Sequence, residues 1–231
     1  MNLLLIRHFD SLKNALGRLS SEADTEGLTE RGRLQGIRIA DSIASVLAEE
    51  KMMPRKLYCS SSRRGVESAE LISSALGGTP IEPSEDLRST RAGIYSGMSI
   101  RAVAKLDPRW YERFKLYKKG LYNLYNLESD SPRPGRERKQ EFEHRVTTCF
   151  NRIIADGDDG IRVIIANRSS LIAILIDIAR LSYGYPRDYY GYTELTVGSI
   201  SRLKREAPGD PWRILALNET GFGRKRKGRP A

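Results

Sequence analysis

The sequence predicts an α/β protein with a mostly parallel central sheet, and three observations predict it. Residues 3–6 and 163–166 are short, continuously apolar runs, and each ends in a polar cluster. Runs of that length and composition fit strands buried on both faces. Helical patterns alternate with the strand patterns along the chain instead of collecting in one part of it, as repeated βαβ connections require. The 231 residues, 39% of them hydrophobic, suffice for one domain with a real core and a decorating insertion.

The elements follow in order. The first strand, residues 3–6, delivers Arg7 and His8 at its C-terminal end, where open α/β sheets bind ligands. Thr29, Glu30, Arg31 and Gly32 open a long helix to about Glu50, with Ile37, Ala40, Ile43, Ala44 and Leu47 at helical spacing. Residues 56–58 form a short strand and 61–76 a helix, stopped by Gly77 and Gly78. Another short strand spans 80–83. Residues 108–136 interrupt the alternation. Trp110, Phe114, Tyr117, Leu121 and Tyr125 recur every three or four residues, with Arg109, Arg113, Lys115, Lys118 and Lys119 between them. This is an amphipathic helical insertion, either packing in the core or acting as a lid with its cations toward an anion. A helix over 137–154 leads to the strand 161–166, then Asn167 to Ser170, then an apolar helix over 171–181. Residues 196–203 and 212–217 are late strands. The domain is expected to span 1–220, leaving 221–231 as a tail.

The formal charge of +10 favours anionic partners without choosing among them. Five of those charges, Arg224, Lys225, Arg226, Lys227 and Arg229, lie in the last eight residues. They form either a solvated tail or a contact for nucleic acid or an anionic surface. Two cysteines, Cys59 and Cys149, make no disulfide framework, so a cytoplasmic location is expected. The N-terminal apolar run is too short for a signal peptide, and no stretch is long enough to span a bilayer. No cluster of His, Cys or carboxylates has metal-ligand spacing, so no metal is expected. The oligomeric state is not legible.

Of the two histidines, His144 lies in a polar helical context and reads as a surface residue. His8 follows a buried strand beside Arg7. A neutral imidazole there can attack phosphorus, and a guanidinium can hold the phosphate oxygens. Taken in isolation, an Arg-His pair is a weak signal, and a structural role for the histidine is the commoner one.

The context extends that reading. Leu5-Ile6-Arg7-His8 with Asn14 six residues on, Leu28 to Gly32, Tyr58 to Ala69, Leu87-Arg88 with Gly93 to Gly97, Val163 to Ala166, and Gly198-Ser199-Ile200 occur in one order over residues 3–218. Together they resemble the histidine phosphatase, or phosphoglycerate mutase-like, superfamily. The resemblance implies a three-layer α/β/α sandwich and a cofactor-free reaction. His8 would take the phosphoryl group, Arg7 and Arg64 would neutralise its oxygens, and Asn14 would add a hydrogen bond.

Three positions depart from the family pattern. Asn167 stands where a second His is expected, so a hydrogen bond can be donated to phosphate but no charge supplied. Ser89 stands at the acid position and cannot protonate a leaving group. Phe9 replaces the Gly after the His, which puts the backbone orienting the imidazole in question. Arg168 either supplies the missing charge or points away as a helix-start surface residue. Asp10, Glu85 or Asp86 could supply a proton. The expected function is therefore binding of a phosphorylated small molecule or phosphoprotein, with phosphomonoester hydrolysis through phospho-His8. The competing readings are an inactive pseudophosphatase that only binds, and a basic nucleic-acid-associated factor.

Overall fold

In a computed structural model, residues 1–20, 23, 25–119, 134–157, 160–184 and 194–220 are described. Strands β1 (Asn2–Arg7), β2 (Leu57–Ser60), β3 (Ile81–Ser84), β4 (Ile161–Ala166), β5 (Ile200–Lys204) and β6 (Arg213–Glu219) form one sheet. Its order is β3-β2-β4-β1-β5-β6. The first four in that order run parallel to one another, and β5 runs antiparallel to both β1 and β6.

The apolar runs are continuous because both sheet faces are covered. On β1, Leu3 and Leu5 enter one core while Leu4 and Ile6 enter the other. On β4, Ile164 and Ala166 face the first core and Val163 and Ile165 the second. Helices α6 (Lys139–Ala155) and α7 (Arg168–Tyr183) close the first side, and α2 (Glu30–Glu49) and α3 (Arg63–Ala75) the second. The result is the three-layer sandwich. Thr29 starts α2 by accepting a bond from the Gly32 amide at 2.9 Å. Gly32 is required for a second reason: a Cβ there would lie 2.0 Å from the Asp10 carbonyl.

The insertion begins as a helix, and its described residues 134–136 form a turn and an isolated bridge to Ala92. The short α1 (Leu12–Ala15) follows β1, and α4 (Ile100–Leu106) and α5 (Pro108–Lys118) pack around Tyr95, Val103 and Trp110. The ring of Trp110 stacks on that of Phe114 at 4.9 Å. Residues 120–133, with Leu121 and Tyr125 of the aromatic stripe, lie outside the described residues, as do Arg224, Lys225, Arg226, Lys227 and Arg229 of the tail.

Several boundaries differ from the sequence reading. Helix α4 was not anticipated. Helix α7 begins at Arg168, three residues before the apolar run, because Asn167 has extended backbone and occupies the position just before the helix. The strand expected from 196 begins at Ile200, since Gly198 adopts φ +73° in a tight turn. That turn donates the Gly198 amide to the carbonyls of Arg7 and His8 at 3.1 and 3.2 Å. Any Cβ at position 198 would lie 2.8 Å from the Gln35 amide nitrogen. Among the described residues no helix is long and apolar enough to cross a membrane.

Candidate active site

The C-terminal ends of β1, β2 and β4 deliver His8, the Ser60–Ser62 turn into α3, and Asn167 to one place. His8 is almost fully buried. Its Nδ1 lies 2.7 Å from the Phe9 carbonyl. A carbonyl can only accept, so Nδ1 carries the proton and Nε2 keeps a lone pair. Burial first, then the charges of Arg64 and Arg7, hold the imidazole pKa well below its ordinary 6.5. The free site therefore carries a neutral histidine with one basic nitrogen.

Phe9 does not disturb this arrangement. Its φ is not in the left-handed region, so no glycine is needed there. Its amide donates to Ser68 Oγ at 3.1 Å, and its ring is buried among α2 and α3 residues.

Arg64 is fully buried. Its Nε and one Nη donate to Oδ1 of Asn167 at 2.9 and 2.6 Å. Asn167 Nδ2 donates to Ser60 Oγ at 3.1 Å, and Ser60 Oγ lies 3.1 Å from Ser62 Oγ. Asn167 thus spends its carbonyl on Arg64 and a proton on Ser60, rather than standing by as a simple donor for an incoming anion. Nor does its side chain cap α7, although Asn is among the residues best suited to do so. The positive end of that 16-residue helix therefore faces the site through Arg168 and Ser169.

A cavity of about 730 Å³ opens here, lined by Arg7, His8, Asn14, Ser89, Asn167 and Arg168 among others. Arg168 is among the residues that line it. Asn14 lines the cavity, and its buried Nδ2 has no hydrogen-bond partner among the described residues. Arg7 reaches the Leu195 carbonyl, which fixes the loop before β5 over the end of β1. Arg64 is not on the cavity wall; it acts on His8 by charge from within the core.

The acid candidates separate. Asp10 lines the cavity, with Thr29 Oγ1 donating to it at 3.2 Å. Glu85 and Asp86 do not line it. Hydrogen bonds from Ser61 and Arg88 hold the Glu85 carboxyl below its usual range, so it is a poor proton donor. Ser89 faces the cavity with Oγ 3.0 Å from Ser169 Oγ.

Sequence reasoning missed the clamp behind Ser89. Glu137, whose side chain is 1% exposed, pairs with Arg145 at 2.5 and 2.9 Å. Arg145 also donates to the carbonyls of Asp86, Arg88 and Ser89 at 2.6, 3.1 and 3.2 Å. An Arg on a polar helix face carries no local sign of such a partner 56 residues away. His144, next to it, is exposed. Cys59 is buried, and burial raises its thiol to about 12, which leaves it inert.

A mostly parallel sheet whose strand ends gather a neutral histidine, the buried Arg64 and a cationic cavity defines a protein equipped for phosphoryl transfer. The chain belongs to the histidine phosphatase superfamily (branch 1), whose family model matches residues 3–220. It is 26% identical over 226 residues to "Phosphoglycerate mutase-like protein 4" of Arabidopsis thaliana, covering 95% of this chain and 88% of the relative. A 2,3-bisphosphoglycerate-dependent phosphoglycerate mutase of Mycobacterium leprae is 30% identical over 153 residues, which is 65% of this chain and 56% of that protein. Among solved structures, a phosphoglycerate mutase from Bacillus anthracis superposes with TM-score 0.74 at 14% identity, covering 96% of this chain and 95% of the other. A mycobacterial glucosyl-3-phosphoglycerate phosphatase complexed with VO3 gives 0.69 at 19%, covering 94% and 99%. At these identities the superpositions speak for the fold.

Proposed function

We propose that this protein hydrolyses a phosphomonoester through a phospho-His8 intermediate. The observation that carries the reading is the Nδ1 proton of His8 held on the Phe9 carbonyl, which leaves Nε2 as a neutral nucleophile in a cationic cavity. Nε2 attacks phosphorus and forms an N–P bond as the ester P–O bond breaks. Arg7, Arg168 and Asn14 take the phosphoryl oxygens, and Arg64 adds its charge from the core through Asn167. The leaving alkoxide takes its proton from the acid form of Asp10, the cavity carboxyl just after His8 in sequence, which is left as a carboxylate. Asp10 then accepts a proton from the water that attacks phospho-His8, and phosphate leaves with the imidazole restored.

Incubation with a labelled phosphodonor tests this directly. The expected product is an acid-labile, base-stable phosphoprotein that is lost in His8→Ala. Turnover that survives His8→Ala overturns the reading.

One observation favours a second reading. Ser89 occupies the acid position and is engaged with Ser169, and Asn167 is engaged with Arg64 and Ser60. In that reading the protein is a pseudophosphatase, which binds the phosphorylated ligand without turnover. Phosphate binding without turnover in the wild type, and no gain in Ser89→Glu/Asn167→His, identifies it.

A further inference from the structure

Residues 100–119 carry seven Lys or Arg against two carboxylates, Asp107 and Glu112, an excess that is half of the chain's +10. Of the cations interleaved with the aromatic stripe, only Lys118 lines the cavity. The cavity therefore does not account for the others.

Helix geometry separates two sides of α5. Trp110, Phe114 and Lys118 recur every four residues and line the cavity. Arg109, Glu112 and Leu116, with Lys119 just beyond the helix end, recur at three and four residues on the other side. On α4, Val103 is fully buried, and Arg101 and Lys105, two residues to either side of it, are exposed, as are Arg109 and Lys119. Arg101, Lys105, Arg109 and Lys119 make no ion pair or side-chain hydrogen bond among the described residues. The two carboxylates are engaged elsewhere. Asp107 accepts from the Trp110 amide at 2.9 Å and the Tyr95 hydroxyl at 3.3 Å, and Glu112 pairs with Lys115 at 2.7 Å.

Two large aliphatic side chains stand among these cations, Leu106 at 66% exposure and Leu116 at 40%. A face that only had to stay hydrated gains nothing from them, and a nucleic-acid backbone offers them no apolar partner. An anionic bilayer answers both features. Its headgroups carry the negative charge that draws Lys and Arg to the surface, and the acyl boundary just beneath takes apolar side chains.

We infer that the outer side of α4 and α5 docks on an anionic lipid bilayer, with Arg101, Lys105, Arg109 and Lys119 meeting the headgroups and Leu106 and Leu116 entering the interface. The cavity lies on the inner side of α5, so docking needs no phosphoryl transfer, and His8→Ala should bind lipid as the wild type does.

Cosedimentation of the full chain with phosphatidylcholine vesicles, with and without about 30% phosphatidylserine, tests the proposal. Partition onto the anionic vesicles is expected to be at least about tenfold stronger than onto the neutral ones. It should weaken as salt rises. Arg101→Gln/Lys105→Gln/Arg109→Gln/Lys119→Gln should lower it about tenfold or more. Leu106→Ser/Leu116→Ser keeps every charge and should still lower it about threefold or more. Arg38→Gln/Lys51→Gln/Arg152→Gln/Arg213→Gln removes the same charge from exposed positions elsewhere and should stay within about twofold of wild type. All substituted side chains are exposed, so thermal unfolding should hold steady across the set. Equal partition onto both vesicles, binding to neither, or an equal loss in the control variant overturns the proposal. So does binding that survives either the four Gln or the two Ser substitutions, or that vanishes only when residues 221–231 are deleted. Binding of a DNA duplex through the four cations, without binding of vesicles, would assign the face to nucleic acid instead and overturn it as well.

Discussion

Arg64 spends two of its guanidinium hydrogen bonds on a single atom, Oδ1 of Asn167, at 2.9 and 2.6 Å. The residue at the second-histidine position is thus an acceptor for a buried cation before it is anything else. Asn167→Ala removes that acceptor and the bond to Ser60, and is expected to cost about 2–4 kcal/mol of stability in urea unfolding. Asn167→Asp keeps an acceptor but turns a negative charge toward the incoming anion. Its affinity for orthophosphate should fall at least about tenfold, corresponding to roughly 1.4 kcal/mol. Undiminished phosphate binding in Asn167→Asp would show that the anion does not approach this residue.

Arg168 stands on the cavity wall one residue further on. If it supplies the charge that Asn167 lacks, Arg168→Ala should lower kcat/KM on a phosphomonoester by about 10²–10³, as the loss of one donor to developing charge does elsewhere. Asn167→His should then change turnover little. The opposite pattern, a large gain from Asn167→His and a small loss from Arg168→Ala, would assign the deficit to position 167.

The depressed pKa of His8 has a stability consequence of definite sign. In the unfolded chain the imidazole titrates near 6.5, and in the folded chain it titrates well below that value. Between the two values the unfolded state binds the extra proton. The contribution of neutral His8 is therefore fully present above pH 6.5 and is lost as pH falls toward the folded value, by up to about 1.4 kcal/mol per pH unit. Urea unfolding of wild type and His8→Gln from pH 7.5 to 5 should show the wild type losing ground as pH drops. The kcat/KM of the free enzyme should show no acid limb near 6.5 from this group. A parallel pair of stability curves contradicts the neutral buried imidazole.

The Glu137–Arg145 pair should be asymmetric under mutation. Arg145→Met leaves a buried carboxylate and frees the carbonyls of Asp86, Arg88 and Ser89, at an expected cost of about 3–5 kcal/mol. Adding Glu137→Leu should return part of that loss, because the unpaired charge is gone. Thermal and urea unfolding of the single and double variants check the cycle; an additive double loss would mean that the pair is not coupled.

Much of this was legible in the chain itself. Strands β1 and β4 advertise burial on both faces by unbroken apolar runs, and the periodicity of α2 and α3 reports the side that each buries. Arg7, His8 and Asn14 could be grouped at one strand end because short connections constrain them, whereas Arg168 stayed open between the site and the surface. What escaped is long-range. The Asn167–Arg64 bond spans 103 residues. Arg145 looks from its neighbours like one more cation on a helix. The backbone atoms that receive it carry no sequence signature, and neither does the choice of an Asn to serve Arg64 instead of its own helix. Position 9 erred in the other direction: losing a Gly looked disruptive, yet the backbone there is ordinary and the added ring found space.

That space has a boundary. A Cβ at Gly36 of α2 would stand 2.6 Å from Cδ2 of Phe9 and 2.5 Å from Cδ1 of Leu71. The ring is pinned against a helix, and the same residue's carbonyl dictates which imidazole nitrogen of His8 is left bare. A single methyl group at position 36, neutral and remote from any phosphate, would therefore press on the choice of tautomer. Helix packing and proton bookkeeping are two ends of one lever here, and its fulcrum is a phenylalanine.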